Sequence, residues 1–156
     1  MEFLHLTWKG EVAGNTPSDF VTVLSQPISL YGSWEVALTD IRFKADKKFS
    51  VFVFSDACEQ SHVHGRLAPV LRRVDKQTDV FVNPYFIKVS TKRLERIKIY
   101  VKGLNLQEVK LSDFACTLCL RKNGISIFFK WKAIIPAQPN KELYLNNFIV
   151  HFFRCT

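Results

Sequence analysis

Apolar and polar residues alternate in short stretches along most of this chain. The clearest stretch covers residues 34–43, where large apolar side chains occupy every second position from Trp34 to Leu38. The alternation then resumes one position later, at Ile41 and Phe43. Residues two apart share a face of an extended strand, so this pattern predicts a half-buried strand with a bulge near Asp40.

Other stretches rich in β-branched and aromatic residues are also strand-like. They are residues 3–8, 20–24, 49–54, 67–74, 85–89, 97–101 and 114–120. Clusters of turn-forming residues separate them, at 14–18, 31–33, 44–48, 62–65, 82–84 and 101–103. One helical candidate, at 93–96, is too short to matter. Regularly spaced strands without crossover helices predict an all-β fold, an antiparallel two-sheet β-sandwich of the single jelly-roll type.

The alternation also predicts which strand faces are buried. Residues 49–54 have large apolar groups on both faces, which is typical of a strand covered on both sides. In residues 97–101, the isoleucines alternate with Lys98 and Tyr100, which indicates one wet face. The residues that we expect in the shared core are Trp34, Val36, Leu38, Phe52, Phe54, Ile97, Ile99 and Leu118.

The end of the chain exceeds what an eight-stranded sandwich needs. Residues 125–131 and 143–153 are strand-like, and a proline-containing breaker at 136–140 separates them. We therefore predict a jelly-roll domain over residues 1–123 and a C-terminal β extension over residues 124–156. The extension would pack on its own domain or on a neighbouring subunit, and the pattern favours own-subunit pairing because a hairpin folds locally.

Composition limits the class of protein. Hydrophobic residues make up 47% of the chain, which argues against disorder, and no apolar run approaches the ~20 residues that span a bilayer. The chain opens at Met1 directly into strand-like sequence, so we expect no secretory signal and a cytosolic or nuclear protein. Four cysteines are too few for a disulfide scaffold, and we expect them to be buried thiols.

A zinc site is one candidate chemistry. Cys116 and Cys119, with His62 and His64, would supply thiolate and imidazole ligands. In a strand, however, residues three apart point to opposite faces, and no glycine between the two cysteines offers a turn. We therefore expect structural cysteines and no metal.

A catalytic site is a second candidate, since Cys58, His62 and Asp56 lie close together in the sequence and could act as nucleophile, base and acid. The segment lacks a glycine-rich nucleophile turn and a helix that would lower the thiol pKa. Asp40 and Glu35 are scattered and do not form the carboxylate cluster of a metal-dependent nuclease. We expect no enzyme and no cofactor.

The net charge of +8 favours a polyanion or an acidic protein surface as a neighbour, although solubility alone accounts for many such charges. Cations are dense in the middle of the chain, where aromatic residues interleave with them. The candidate basic contact face comprises Arg72, Arg73, Lys88, Lys92, Arg93, Arg96, Lys98 and Lys102. Such a face could follow a nucleic-acid backbone. Because the core needs the aromatics, a subunit interface or a solvated face is the preferred interpretation.

Several segments follow one another in an order known from one family. They are residues 19–24, 27–30, the Trp-Glu-Val-Ala-Leu strand at 34–38, and residues 52–56, 67–72, 83–89, 97–101 and 116–122. In this order they resemble the minor capsid proteins of Polinton (Maverick) elements and adintoviruses. The resemblance covers about residues 3–123. Residues 44–48 are shorter than the corresponding loop of many relatives, and residues 124–156 have no counterpart.

The resemblance implies a single jelly roll that assembles as the pentameric penton at capsid vertices. Its partners would be further copies of itself, as a homo-pentamer, and the major capsid protein, with no membrane involved. It would be located in the virion, after assembly in the host cell nucleus or cytoplasm. Non-specific contact with packaged DNA stays open. The rival hypothesis is a basic β-sandwich module that binds nucleic acid.

Overall fold

A computed structural model describes residues 1–9, 12–47 and 49–123 of this chain. They belong to one compact unit, Met1–Ile125. The predicted strands at 125–131 and 143–153 lie outside the described residues, and so does Cys155. Among the described residues, no helix has the length and apolar character needed to cross a bilayer.

Eleven strands make up the described part of the chain. They are β1 (Glu2–Thr7), β2 (Asp19–Ser29), β3 (Trp34–Lys44), β4 (Val51–Ser55), β5 (Ser61–Val63), β6 (Arg66–Ala68), β7 (Val70–Val74), β8 (Thr78–Val80), β9 (Ile87–Lys88), β10 (Arg93–Gly103) and β11 (Asp113–Lys122). The helical candidate at 93–96 is wrong, because these residues begin β10.

The strands form two main antiparallel sheets. Sheet A has the order β1-β11-β3-β8, with β9 also paired to β3, and sheet B has the order β2-β10-β4-β7. Strands β5 and β6 form a separate hairpin. The chain passes from one sheet to the other at every connection except two. Strands β4 and β7 both belong to sheet B, with the β5–β6 hairpin between them in the chain, and β8 and β9 both belong to sheet A. This is the order of strands in a jelly roll, so the predicted all-β two-sheet sandwich is confirmed.

The shared core lies between the inner faces of the two sheets. Val36, Leu38, Ile97, Ile99 and Leu118 are each at most 1% exposed, as the alternation predicts. The predicted bulge in β3 is also confirmed. The register with β11 shifts between Thr117 and Leu118, which leaves one unmatched residue beside Asp40. The bulge lets the apolar positions on both sides of it face the core.

Two predicted core residues lie on the wrong side of their strand. Val51 and Val53 of β4 face the shared core, whereas Phe52 and Phe54 face outward from sheet B. Alternation could not decide this, because both faces of β4 are apolar. Trp34 lies only partly buried at the margin of the core.

The outward aromatic residues of β4 are covered by local structure. Phe54 is 2% exposed and packs with Val63 of the β5–β6 hairpin and with Val70. Its ring stacks on Tyr100 of the neighbouring strand, with centroids 4.7 Å apart and an interplanar angle of 3°. The hairpin therefore covers a second, smaller apolar cluster.

Some strand boundaries differ from the prediction. The single strand expected at 67–74 is two strands, because the chain passes from the β5–β6 hairpin into sheet B at Pro69. The turn expected at 62–65 is confined to His64 and Gly65, and the residues on either side pair as β5 and β6. Strand β8 was not predicted. The strand expected at 85–89 shortens to β9.

Candidate assembly surface

The four residues proposed for a zinc site do not converge. Leu118 and Cys116 share the inner face of β11, where Cys116 belongs to the shared core, whereas Cys119 is buried outside that cluster. His62 and His64 are exposed on the β5–β6 hairpin. Within residues 1–9, 12–47 and 49–123, no group of three or more His, Cys, Asp or Glu residues could hold a metal ion.

The candidate catalytic residues have structural partners. The Cys58 thiol is buried and donates to the carbonyl oxygen of Ser55 at 3.3 Å. Burial raises the pKa of Cys58 to about 11, so the thiol is protonated at neutral pH. The Asp56 carboxylate accepts the backbone N–H of Lys98 at 2.8 Å, which ties the end of β4 to β10. The hydrogen bonds of Cys58 and Asp56 therefore indicate a structural role at the end of β4, and they do not favour a thiolate nucleophile.

The predicted basic residues are divided among several surfaces. Lys98 and Lys102 point outward from β10, since they alternate with core residues of that strand. Lys88 lies on β9, at the margin of sheet A, and Lys92 lies in the connection between β9 and β10. Arg72 lies at the margin of sheet B, where its guanidinium covers the ring of Phe81 at 3.9 Å. Lys102 and Arg73 both pair with Phe52, so these two cations lie on the outer face of sheet B, whereas Lys88 belongs to sheet A.

Several of these cations are already paired with carboxylates. Arg73 contacts Asp75 at 3.0 Å, Arg93 contacts Glu95 at 2.9 Å and Lys98 contacts Asp19 at 3.1 Å. The aromatics between them are occupied as well. Tyr100 stacks on Phe54, and Arg121 covers Phe86 at 3.6 Å. Nucleic-acid bases would therefore have to compete with existing contacts for most of these rings.

Exposed apolar side chains, in contrast, are concentrated on the two flanks of the sandwich. The strand order puts β1 and β2 at one margin and β7, β8 and β9 at the other. On the first margin, which we call the β1–β2 flank, the large exposed apolar residues are Met1, Phe3 on the outer face of sheet A, and Val23 on the outer face of sheet B. On the second, the β7–β9 flank, they are Val80, Val82 and Tyr85, with exposures between 68% and 90%.

A groove of about 290 Å³ runs along the β7–β9 flank between the margins of the two sheets. Its lining includes Val70 and Leu71 of β7 and, opposite them, Tyr85 and Ile87. Arg72 closes one side, since its guanidinium donates to the carbonyl oxygen of Asn83 at 3.4 Å. The groove and the exposed Val80 and Val82 lie on the same flank, and Tyr85 is one of the residues that line the groove.

The sequence prediction did not identify these flanks. It placed residues 82–84 in a turn, and a turn gives no reason to bury Val82. The available signal was an apolar residue, Val82, within a turn-type cluster. Phe3 and Val23 could not be distinguished from core residues, because both faces of β1 and β2 carry apolar side chains.

Comparison of this chain with models of known protein families, with curated proteins and with solved structures finds no match.

Proposed function

We propose that this protein is a structural subunit that assembles with further copies of itself into a closed ring, as the penton of a virus-like capsid. The observation that supports the ring is the position of the exposed apolar residues, on two opposite flanks of a jelly roll. Contact with another copy would remove these side chains from water, which is favourable. A chain with patches on opposite flanks can bury both by joining its neighbours head to tail.

A head-to-tail contact uses two different surfaces of each copy, so it closes into a ring when the rotation between copies divides a full turn. The β1–β2 flank of one copy would lie against the β7–β9 flank of the next. Such a role requires complementary shape and a fixed angle between subunits. The strand order of a single jelly roll and the resemblance of residues 3–123 to minor capsid proteins support five copies at a capsid vertex.

In this proposal the major capsid protein surrounds the ring, and the virion is where the protein functions.

A second candidate function is a nucleic-acid-binding module, which would use the outward cations of β10. Arg96 and Lys102 are without an ion pair among the described residues, so they remain available to phosphates. We favour the ring because large apolar side chains are exposed on both flanks. Of the outward cations of β10, in contrast, Arg93 and Lys98 are already paired with carboxylates.

Native mass spectrometry at high micromolar concentration and near-physiological salt tests the proposal. We expect a closed ring, with five copies, whose mass does not change when DNA is added. A wild-type protein that stays monomeric would overturn the ring. A monomer with salt-dependent affinity for DNA would favour the nucleic-acid-binding module instead.

A matched pair of variants tests whether the flank makes the contact. Val82 is 90% exposed on the β7–β9 flank, and Tyr31 is 81% exposed in the connection between β2 and β3. Val82→Asp places a charge in the proposed contact and should release monomers. Tyr31→Asp adds the same charge in the β2–β3 connection, outside the strands of both flanks, and should leave the ring intact. Equal behaviour of the two variants would contradict the assignment of the flank.

A further inference from the structure

The segment between β8 and β9 is too long to follow the margin of sheet A. Val80, at the end of β8, pairs with Asp40 of β3. Ile87, at the start of β9, pairs with Val36 of the same strand. The six residues 81–86 therefore lie opposite only three residues of β3. The three surplus residues amount to about 10 Å of extended chain, so the segment must project from the margin. We call it the 81–86 loop.

The first residue of this loop is held from sheet B. Arg72 of β7 pairs with Val53, whose side chain faces the shared core, so Arg72 is directed from sheet B towards sheet A. Its guanidinium lies over the ring of Phe81, 3.9 Å from the centroid, and donates to the carbonyl oxygen of Asn83 at 3.4 Å. The backbone N–H of Phe81 also donates to the carbonyl oxygen of Thr39 at 2.8 Å. A side chain of sheet B thereby fixes the start of a loop that belongs to sheet A.

The last residue of the loop is held from sheet A. The Arg121 guanidinium covers the ring of Phe86 at 3.6 Å and donates to the Glu35 carboxylate at 2.8 Å. Arg121 and Glu35 are paired neighbours on β11 and β3, so both strands take part in this contact. Each end of the loop is therefore a phenylalanine ring covered by a guanidinium, a contact that is attractive in itself.

The residues between the two phenylalanines form the tip of the loop. Val82 is 90% exposed and Tyr85 is 68% exposed, and the whole loop carries no charged residue. Pro84 restricts the backbone of the tip, because its ring fixes φ. A tyrosine offers a large contact area with only two side-chain torsions to immobilise. The tip thus presents apolar area on a backbone that is held at both ends.

We propose that the 81–86 loop is the preformed contact element of the ring, and that Arg72 and Arg121 are positioning residues that hold it in the shape the next copy binds. This inference rests on the proposed function, and it specifies how the β7–β9 flank is built. A loop that is already held in its bound shape loses less conformational entropy on association. The two arginines strengthen assembly through the loop.

The chemistry of the loop favours an apolar protein surface over a polyanion. Arg72 is occupied by an aromatic ring and a backbone carbonyl, and Arg121 by a ring and a carboxylate. A phosphate would have to displace these contacts. An apolar surface requires no such exchange, and the β1–β2 flank of the next copy exposes Met1 and Phe3. The loop is therefore suited to a second copy.

A double-mutant cycle tests whether the arginines act through the loop. Arg121→Leu and Tyr85→Ala, singly and together, are compared by the protein concentration at which half of the rings dissociate. Arg121→Leu should raise this concentration about tenfold in the wild type, because the tip must then be ordered on binding. It should raise it less than about twofold when Tyr85→Ala has already removed the tip contact. Arg72→Leu should behave in the same way.

The controls separate positioning from overall stability. All variants are compared where circular dichroism shows them to be folded, and Arg96→Leu, which removes an exposed arginine of β10, should not change ring dissociation. Equal effects of Arg121→Leu with and without Tyr85→Ala would show that Arg121 acts through overall stability, and would overturn the proposal. Rings of Arg72→Leu and Arg121→Leu as stable as the wild type would overturn it too, while leaving the ring standing. Absence of any wild-type ring would reject both.

The order of the loop is measured in the monomer, where no neighbouring copy contributes to it. Val82→Asp should be monomeric, and in this protein the NMR order parameters of the Asn83 and Tyr85 amides should be about 0.85, the value of rigid backbone. Addition of Arg121→Leu should lower the value at Tyr85 to below about 0.6. Order parameters that are equal with and without Arg121 would show that this arginine does not hold the loop.

Discussion

The guanidinium of Arg121 lies flat over the ring of Phe86, with its central carbon 3.6 Å from the ring centroid. The same guanidinium donates to the Glu35 carboxylate at 2.8 Å from both Nε and Nη2. Asn123 donates to the other oxygen of that carboxylate at 3.1 Å. Strands β3 and β11 thereby hold the segment that precedes β9, and this segment presents Tyr85 on the β7–β9 flank.

Replacing Arg121 by Leu should destabilise the fold by about 1–2 kcal/mol, because the ion pair and the cation–π contact are lost together. Both partners are partly exposed, so solvent screening keeps the value small. Urea unfolding of dilute protein provides the measurement. Arg96→Leu is the matched control, since Arg96 is exposed and without an ion pair among the described residues, and it should change stability by less than about 0.5 kcal/mol. Equal losses in both variants would contradict this role of Arg121.

Leu118→Ala should destabilise the protein by about 2–5 kcal/mol, because the side chain is fully buried between the sheets and its removal leaves a cavity. Leu67, which is 59% exposed on the β5–β6 hairpin, is the matched control, and Leu67→Ala should cost less than about 1 kcal/mol. Denaturant unfolding of both variants measures the difference. A loss below about 1 kcal/mol for Leu118→Ala would show that the core is assigned wrongly.

The Cys58 thiol should make stability depend on pH in the alkaline range. Burial raises its pKa in the folded protein from the ordinary value of 9.0 to about 11. The folded state therefore keeps the proton longer than the unfolded state does. This contribution to stability is fully present below pH 9 and is lost as the pH rises towards 11, by about 2–3 kcal/mol in total.

Unfolding free energies of the wild type and of Cys58→Ala, measured from pH 8 to pH 11, test this linkage. The difference between the two proteins isolates Cys58 from the lysines and tyrosines that titrate in the same range. We expect the wild type to lose stability more steeply than the variant above pH 9. Parallel curves would show that the thiol does not become harder to ionise on folding.

The β5–β6 hairpin turns at His64 and Gly65, whose φ angles are +48° and +73°. Two residues with positive φ are typical of a type I′ turn, which fits the twist of a two-residue hairpin. Gly65→Ala should destabilise the protein by about 1 kcal/mol through backbone strain, since an added Cβ meets no atom within 4 Å. His64→Asn should be neutral or stabilising, because asparagine tolerates this conformation better. Thermal unfolding distinguishes the two, and a neutral Gly65→Ala would contradict the turn assignment.

Alternation along the chain was sufficient to predict the class of fold. A strand with one apolar face can only be stable against another apolar face, so the repeated period-two pattern implied two packed sheets. The bulge near Asp40 followed from the same rule, since the apolar positions of β3 slip by one residue there. The opposite directions of Cys116 and Cys119 also followed from strand geometry alone.

Tertiary structure decided what alternation leaves ambiguous. Phe52 and Phe54 are larger than Val51 and Val53, with which they alternate, yet they face outward because the β5–β6 hairpin covers that side of β4. Strand β8 is a strand only because β3 provides its pairing partner. Local sequence cannot show such long-range partners, because the contact depends on residues far away in the chain.

The candidate assembly surface depends entirely on tertiary structure. The sequence by itself determined which residues are apolar and that they belong to strands, and it grouped the cations by their position in the chain. Only the folded sandwich showed that those cations lie on different surfaces, while Phe3 and Val82 lie on opposite flanks. The physical reason is that a flank is defined by the order of strands within a sheet, and that order is set by pairing between segments distant in sequence.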